Sequence, residues 1–403
     1  MKRRQFFQQV GLPFVAVSAA SAPFIKQSMA AGTITEPSAS TAAQPLVNSP
    51  QSDAIKLAPI KAEVNRLTGV YTCTRPFRHA GPRIEIEKLG HKHIVHNYGH
   101  GGSGWSLSWG SGTLAVRLAQ TTGVRTLGVI GCGALGLTSA ILAQRAGMSV
   151  KIYAKALPPD VSSMNATGLW TPNSRICDAV HEQEIAARWE EMARISFTTY
   201  QRLVGLPGDP VEWFDGYSLS DTPFTQPAMH RATVSDEPDY GEFHEYAPET
   251  KVHSIELATD SHPFSVPYVK KYSMMMFNIG TYSRMLMAEF LAMGGKIEVA
   301  EFNHAKELLK LPERTLINAT GYGAKALFKD DSIVPVRGQT ARLIPQPEVK
   351  YGISTNNLSV VPRRDGLLVQ YFGDTGNFNN ADATPDRNLA EASVRQLAEL
   401  LKG

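Results

Sequence analysis

Arg125 to Gly136 reads RTLGVIGCGALG. Leu127 to Ile130 is an apolar strand that runs into Gly-x-Gly-x-x-Gly, and Leu137 to Ala146 continues at helical spacing. Gly147 stops that helix, and Ser149 to Ala154 (SVKIYA) reads as a second strand. The glycine motif carries meaning in this context of strand, tight turn, helix and strand. Gly131 permits the turn, Gly133 brings the backbone against a pyrophosphate, and Gly136 lets helix and strand pack closely. The backbone N–H groups at the helix start, those of Ala134 and Leu135 among them, favour the negative charge of a pyrophosphate. A dinucleotide-binding α/β domain is the expectation. One position departs from the pattern: an acidic residue usually ends the second strand and holds the adenosine ribose. Lys155 and Ala156 stand there instead, which weakens any reading as an ordinary NAD enzyme.

With 403 residues the chain can bury a large core in two intimately joined domains. Its 40 Lys+Arg against 37 Asp+Glu leave a formal charge of +3, too balanced to call for a nucleic-acid partner. The N-terminus is a separate object. Met1-Lys2-Arg3-Arg4-Gln5-Phe6-Phe7 precedes a short apolar run from Gly11 to Ala22 and small residues at 28–31. The run is too short for a stable membrane span. Residues 1–31 read as a cleaved signal peptide, and the paired arginines resemble a twin-arginine signal. That signal implies the twin-arginine export machinery as a partner, a periplasmic or secreted location, and no membrane span after cleavage. Residues 32–57, rich in Ser, Thr, Ala and Pro, read as a flexible linker. Cys73, Cys132 and Cys177 are widely spaced without a C-x-x-C, so neither a disulfide framework nor a metal site is expected.

Three further segments suit a flat, conjugated ring. Ser162, Ser163, Thr167, Gly168 and Leu169 form a hydroxyl-bearing turn just after the second strand. Arg314 to Ala319 (RTLINA) reads as a buried strand that ends at Thr320-Gly321. His96 to Gly110 (HNYGHGGSGWSLSWG) packs Gly99, Gly101, Gly102, Gly104 and Gly110 among Ser103, Trp105 and Ser106. Such a run leaves backbone amides open to a ring. A helix predicted to start near Ser111 would aim its positive end at a flavin edge.

These motifs resemble the D-amino-acid oxidase family. HNYGHGGSGWSLSWG is similar to its flavin-embracing signature, VIGCGALGL to its dinucleotide fingerprint, and NATGLWTP to its flavin-contacting turn. Further landmarks are Asn278 to Tyr282, LINATG, and Val334 to Gln339 (VPVRGQ). The resemblance implies FAD as cofactor and an α/β fold: a Rossmann-like FAD-binding domain plus an antiparallel-sheet substrate domain. The expected boundaries are 84–205 with 278–335 for the first, and 58–83, 206–277 and 336–403 for the second. In the family the fingerprint opens the chain and the glycine signature lies near the end. Here the order is reversed, the pattern of a circular permutation.

The resemblance also implies chemistry: hydride transfer from the α-carbon of an amino acid to flavin N5. The imino product would hydrolyse to a 2-oxo acid and ammonia, with oxygen or another acceptor reoxidising the flavin. Arg78, in Arg75-Pro76-Phe77-Arg78, aligns with the family's carboxylate clamp, and Arg83 is its rival. The Gly102 carbonyl would accept from the substrate amine, and Ser106 would hold the pyrimidine edge. His96 and His100 are expected to make structural hydrogen bonds. Thr355 and Ser359 stand where the family places a pair of tyrosines over the substrate, with Tyr351 a shifted substitute. That loss keeps open an amine, glycine or imino-acid oxidase, or a flavin-binding protein without activity.

Overall fold

The computed structural model describes residues 55–225, 236–373 and 376–402. The expected signal peptide and most of the linker lie outside the described residues. Along the chain come β1 (Leu67–Arg78), β2 (Arg83–Leu89), β3 (Lys92–Tyr98), α1 (Gly104–Gln120), β4 (Thr126–Ile130), α2 (Ala134–Arg145) and β5 (Ser149–Ala154). Next are α3 (Glu182–Gln201), β6 (Val211–Ser220), β7 (Ser254–Leu257), β8 (Tyr268–Phe277), α4 (Ile279–Ala292), β9 (Lys296–Val299) and β10 (Thr315–Asn318). The chain closes with α5 (Ala324–Phe328), β11 (Ile333–Leu343), β12 (Tyr351–Ser354), β13 (Leu358–Arg363), β14 (Gly366–Tyr371) and α6 (Arg387–Leu400).

The strands form two sheets. One has six strands in the order β2-β3-β10-β4-β5-β9, and all but β2 run parallel. Short buried runs such as Leu127 to Ile130 and Thr315 to Asn318 make its centre, as parallel strands covered on both faces require. The other has eight strands, β1-β11-β14-β13-β12-β6-β8-β7, antiparallel except where β12 meets β6. It is assembled from three separate stretches of chain, 67–78, 211–277 and 333–371. An α/β fold with one mainly parallel and one mainly antiparallel sheet matches the expectation from sequence.

Each face of the larger sheet has its own cover. Val360, Val369, Ala341 and Tyr351 pack in one cluster with Ala390, Val394 and Leu397 of α6. On the opposite face Phe214, Met276, Val361 and Leu368 form a cluster against which Leu169 packs. That second face looks toward the parallel-sheet half of the molecule. Among the described residues, no helix is long and apolar enough to cross a membrane.

Helix α1 begins at Gly104, seven residues earlier than predicted. Glycines disfavour a helix interior by about 1 kcal/mol each, but here tertiary burial overrides propensity. Trp105, Leu107 and Trp109 are buried, and the glycines let neighbouring helices approach. A Cβ on Gly110 would overlap the backbone of Met192 in α3, and the Gly110 N–H donates to Ser196 Oγ at 2.9 Å. Gly110→Ala is therefore expected to force α1 and α3 apart at a cost of roughly 1–3 kcal/mol. Thermal unfolding would read this as a lowered Tm, and an unchanged Tm would contradict the close approach.

Candidate active site

Strand β4 delivers Gly131 to the carboxyl edge of the parallel sheet, where open α/β sheets bind ligands. Gly131 has φ +109°, and a Cβ there would sit 2.5 Å from the Ala319 carbonyl oxygen beyond β10. A Cβ on Gly136 would overlap the Gly131 carbonyl oxygen. The turn thus closes with room only for backbone. Gly133 caps α2, and the Ala134 N–H donates to Ser163 Oγ at 3.2 Å. The first-turn N–H groups of Leu135 and Gly136 have no partner within the helix, which suits an anion. Thr320 and Gly321 follow β10 beside this turn; Thr320 Oγ1 donates to Asn318 Oδ1 at 2.7 Å, and Gly321 has φ +57°.

The glycine-rich loop is tied to β1 and, through Gly102, Ser103 and Trp105, to the 162–174 segment. The Gly101 N–H donates to the Pro76 carbonyl at 2.9 Å, and the Gly102 N–H to the Ser174 carbonyl at 2.9 Å. Gly101 has φ +52°, and a Cβ there would overlap the Arg175 carbonyl. Ser103 Oγ lies 3.1 Å from the Thr171 carbonyl and 3.0 Å from that of Ser174. Trp105 Nε1 donates to the Ser163 carbonyl at 2.8 Å. Gly104, by contrast, faces open space. Gly101 to Ser106, Gly131 to Gly136, Ser162 to Leu169 and Thr320-Gly321 therefore converge, and the residue types fit a flavin dinucleotide.

Ser106 needs a correction. Its hydroxyl donates to the Leu169 carbonyl at 3.2 Å and accepts from the Thr171 N–H at 2.9 Å. It orders the loop and has its one donor committed, so the donors left for a pyrimidine edge are the first-turn amides of α1. Thr167 Oγ1 is likewise committed, donating to Gln370 Oε1 of β14 at 2.7 Å. Gly168 has φ +83°, and its carbonyl accepts from the Phe277 N–H at 2.7 Å. The turn therefore joins the two sheets.

His96 and His100 make the structural contacts expected of them. His96 Nδ1 lies 3.1 Å from Asn318 Nδ2, and His100 Nε2 lies 2.7 Å from Ser111 Oγ. Burial pushes His100 down to about 3, so it stays neutral at physiological pH.

The arginines also need correction. Arg75 and Arg78 are three residues apart on β1 and point to opposite faces. Arg78 Nε donates to Ser332 Oγ at 2.8 Å, Nη1 donates to the Gly81 carbonyl at 2.8 Å, and Asp330 lies 3.7 Å away. Those partners hold Nε and Nη1 on the face of β1 away from Arg75. Arg83 is tied to Glu85, Glu87 and Tyr98 at 2.6, 2.9 and 3.0 Å. Arg75 instead lies across Gly338 of β11, where a Cβ would be 2.5 Å from both Nη atoms. It donates to the Arg337 carbonyl at 2.9 Å through Nη1. Burial, reinforced by the nearby Arg175 guanidinium, lowers its pKa; an anion beside it would favour the charged form.

The tyrosine substitutes divide in the same way. Tyr351 lies in the cluster beneath α6, on the far face, with its hydroxyl on the Ala58 carbonyl at 2.9 Å. Thr355 accepts from the Leu358 N–H at 3.1 Å and builds a turn. Ser359 is on the near face. So is Tyr272, which sequence reading missed: its ring fills the space a Gly216 side chain would take. A glycine inside the aromatic strand WFDGYS was the available signal.

The glycine turn yields a test. Gly136→Ala has no space against the Gly131 carbonyl, so the variant should fold but purify without FAD, read from the visible absorbance. A fully loaded Gly136→Ala protein would remove the turn from the cofactor site.

Residues 127–403 match the family model described as FAD dependent oxidoreductase (DAO). The D-amino-acid oxidase of Dictyostelium discoideum is 23% identical over 278 residues, covering 67% of this chain and 71% of its own length. That of Rubrobacter xylanophilus is 24% identical over 278 residues, 68% of this chain and 76% of its own. The D-amino acid oxidase of Dugesia ryukyuensis is 32% identical over 116 residues, 28% of this chain and 34% of its own. Among solved structures, glycine oxidase from Bacillus cereus ATCC 14579 aligns with TM-score 0.47 and 16% identity, over 69% of this chain and 78% of that one. With most of its length matched and its glycine turns fitted to a flavin dinucleotide, the chain belongs to the DAO family of FAD-dependent oxidoreductases, and FAD is its cofactor.

Proposed function

We propose that the protein oxidises a free D-amino acid at its α-carbon, with oxygen as the electron acceptor. Arg75 carries this reading: a half-buried guanidinium on the sheet face that meets the flavin-binding turn, with donors left for a carboxylate. Bound FAD supplies a two-electron acceptor for the hydrogen leaving the α-carbon with its electron pair. Arg75 holds the α-carboxylate, and the Gly102 carbonyl accepts from the amine, which fixes the α C–H bond toward the ring. The amine lone pair forms the C=N bond, and the imino acid hydrolyses to a 2-oxo acid and ammonia. The α1 N-terminus at Gly104 offers its amides and dipole to the negative charge that reduction brings. Ser359, at a position the family fills with tyrosine, favours a second reading, an FAD-dependent oxidase of glycine or an imino acid.

Arg75→Ala should keep its FAD and lose substrate affinity by roughly 30-fold or more, the 2–5 kcal/mol of a truncated charge pair. Arg78→Ala should hold substrate affinity within a few-fold, although it loses the Ser332 and Gly81 contacts. Substrate titrations of both variants decide between them, and equal losses would remove Arg75 from the clamp.

We also propose that the family's segments are circularly permuted in this chain. Two observations support it. The family match begins in β4, so β1, β3, α1 and the glycine-rich loop all precede it. Leu57 and Leu400 pack against one hydrophobic cluster, which puts the joined ends close together. A rearranged chain running from residue 126 to 402 and then through 57–125 should fold and take up FAD, whereas one opened inside α2 should not. A rearranged chain that never acquires FAD would contradict the permutation.

A further inference from the structure

The near face of the larger sheet carries a row of polar side chains where a sheet core is usually apolar. Ser218 pairs with Ser354, Ser354 with Ser359, and Ser359 with Gln370. One step beyond the Ala341–Val369 pair, Thr340 comes level with Gln370. Each next residue along these strands, Val360, Val369 and Ala341, is apolar and faces α6. The alternation is that of a strand with one dry face and one wet one. The wet face looks toward the flavin-binding turn, because Gln370 Oε1 accepts from Thr167 Oγ1 at 2.7 Å.

Thr340 is the informative member. It is 2% exposed, yet among the described residues its hydroxyl oxygen has no hydrogen-bond partner. An orphaned buried hydroxyl costs about 1–3 kcal/mol, and valine would fill the same space without that cost. The Gln370 carbonyl is taken by Thr167, which leaves its NH2 group as a donor. Thr340 stands two residues from Gly338 on the same face, about 7 Å away. The Arg75 guanidinium lies over Gly338. A small amino acid can bridge that separation with its α-carboxylate at one end and its side-chain amide at the other, given a hydrogen bond at each end. Two charges on this face have partners of their own: Arg342 Nη1 faces Asp365 at 3.7 Å while its guanidinium lies over the Tyr71 ring, and Lys270 sits over the Phe224 ring at 4.4 Å.

We propose that the substrate carries a neutral carboxamide side chain, read by Thr340, Gln370 and Ser359 while Arg75 holds its α-carboxylate. This deepens the amino-acid reading above and rests on it. A site built to hydrogen-bond its substrate penalises an analogue that cannot answer.

The test uses the FAD-loaded protein and two shape-matched acids, succinamic acid and 4-methylpentanoic acid, which are asparagine and leucine without the amine. Flavin difference spectra should show succinamate binding about tenfold tighter, the equivalent of one hydrogen bond. Thr340→Val, which keeps the volume and removes the hydroxyl, should narrow that gap, and Ser359→Ala should narrow it independently. Equal or tighter binding of 4-methylpentanoate by the unaltered protein overturns the proposal, as does a gap untouched by both substitutions or no response to either acid. Anaerobic bleaching by D-asparagine faster than by D-leucine is the matching result in turnover. A preference for succinamate without bleaching by any amino acid would uphold the carboxamide pocket and overturn the oxidation reading instead.

Discussion

Ser163 fixes the distance between two helix starts, and the cofactor site depends on that distance. Its carbonyl accepts from Trp105 Nε1 at the head of α1, and its hydroxyl accepts from the Ala134 N–H at the head of α2. A Cβ on Gly133 would lie 3.2 Å from the same hydroxyl. One short turn therefore joins the amides suited to a pyrophosphate to those suited to a flavin edge. FAD spans such positions at once, so the cofactor and the turn constrain each other.

From this joint the rest of the site follows. The turn that begins at Ser162 continues through Thr167 to Gln370 and through Gly168 to Phe277. The parallel sheet thus holds the cofactor while the larger sheet is positioned over it as a second wall. Arg363 adds to the same seam by donating to the Ala166 carbonyl at 2.9 Å. Alternation then divides the strands of that wall: side chains of one parity join the cluster under α6, and those of the other parity face the turn, some as a smaller apolar cluster around Leu169 and some as the polar row.

This division explains what was legible in the sequence and what was not. Gly131, Gly133 and Gly136 were readable because their spacing falls within one strand-turn-helix unit, although only Gly136 is restricted by the turn itself; Gly131 is restricted by the Ala319 carbonyl beyond β10. The convergence of four distant segments was readable only through family resemblance, since no spacing rule links Gly102 to Thr320. Arg78 misled because a short R-P-x-R stretch does not reveal which arginine faces the site; the strand pairing of β1 with β11 decides that. Tyr351 misled for the same reason, being one residue out of phase with the near face. The start of α1 escaped because its glycines oppose a helix locally, and the packing that overrides them comes from α2 and α3.

We propose that this fold presents an amino acid to bound FAD with its carboxylate on Arg75. The most direct test is the anaerobic absorbance spectrum of the FAD-loaded protein as D-amino acids are added one at a time. The account predicts that the flavin bands bleach with at least one of them and stay unchanged with the matching amine that lacks a carboxylate. Bands that no amino acid bleaches, or that the bare amine bleaches equally well, would contradict it.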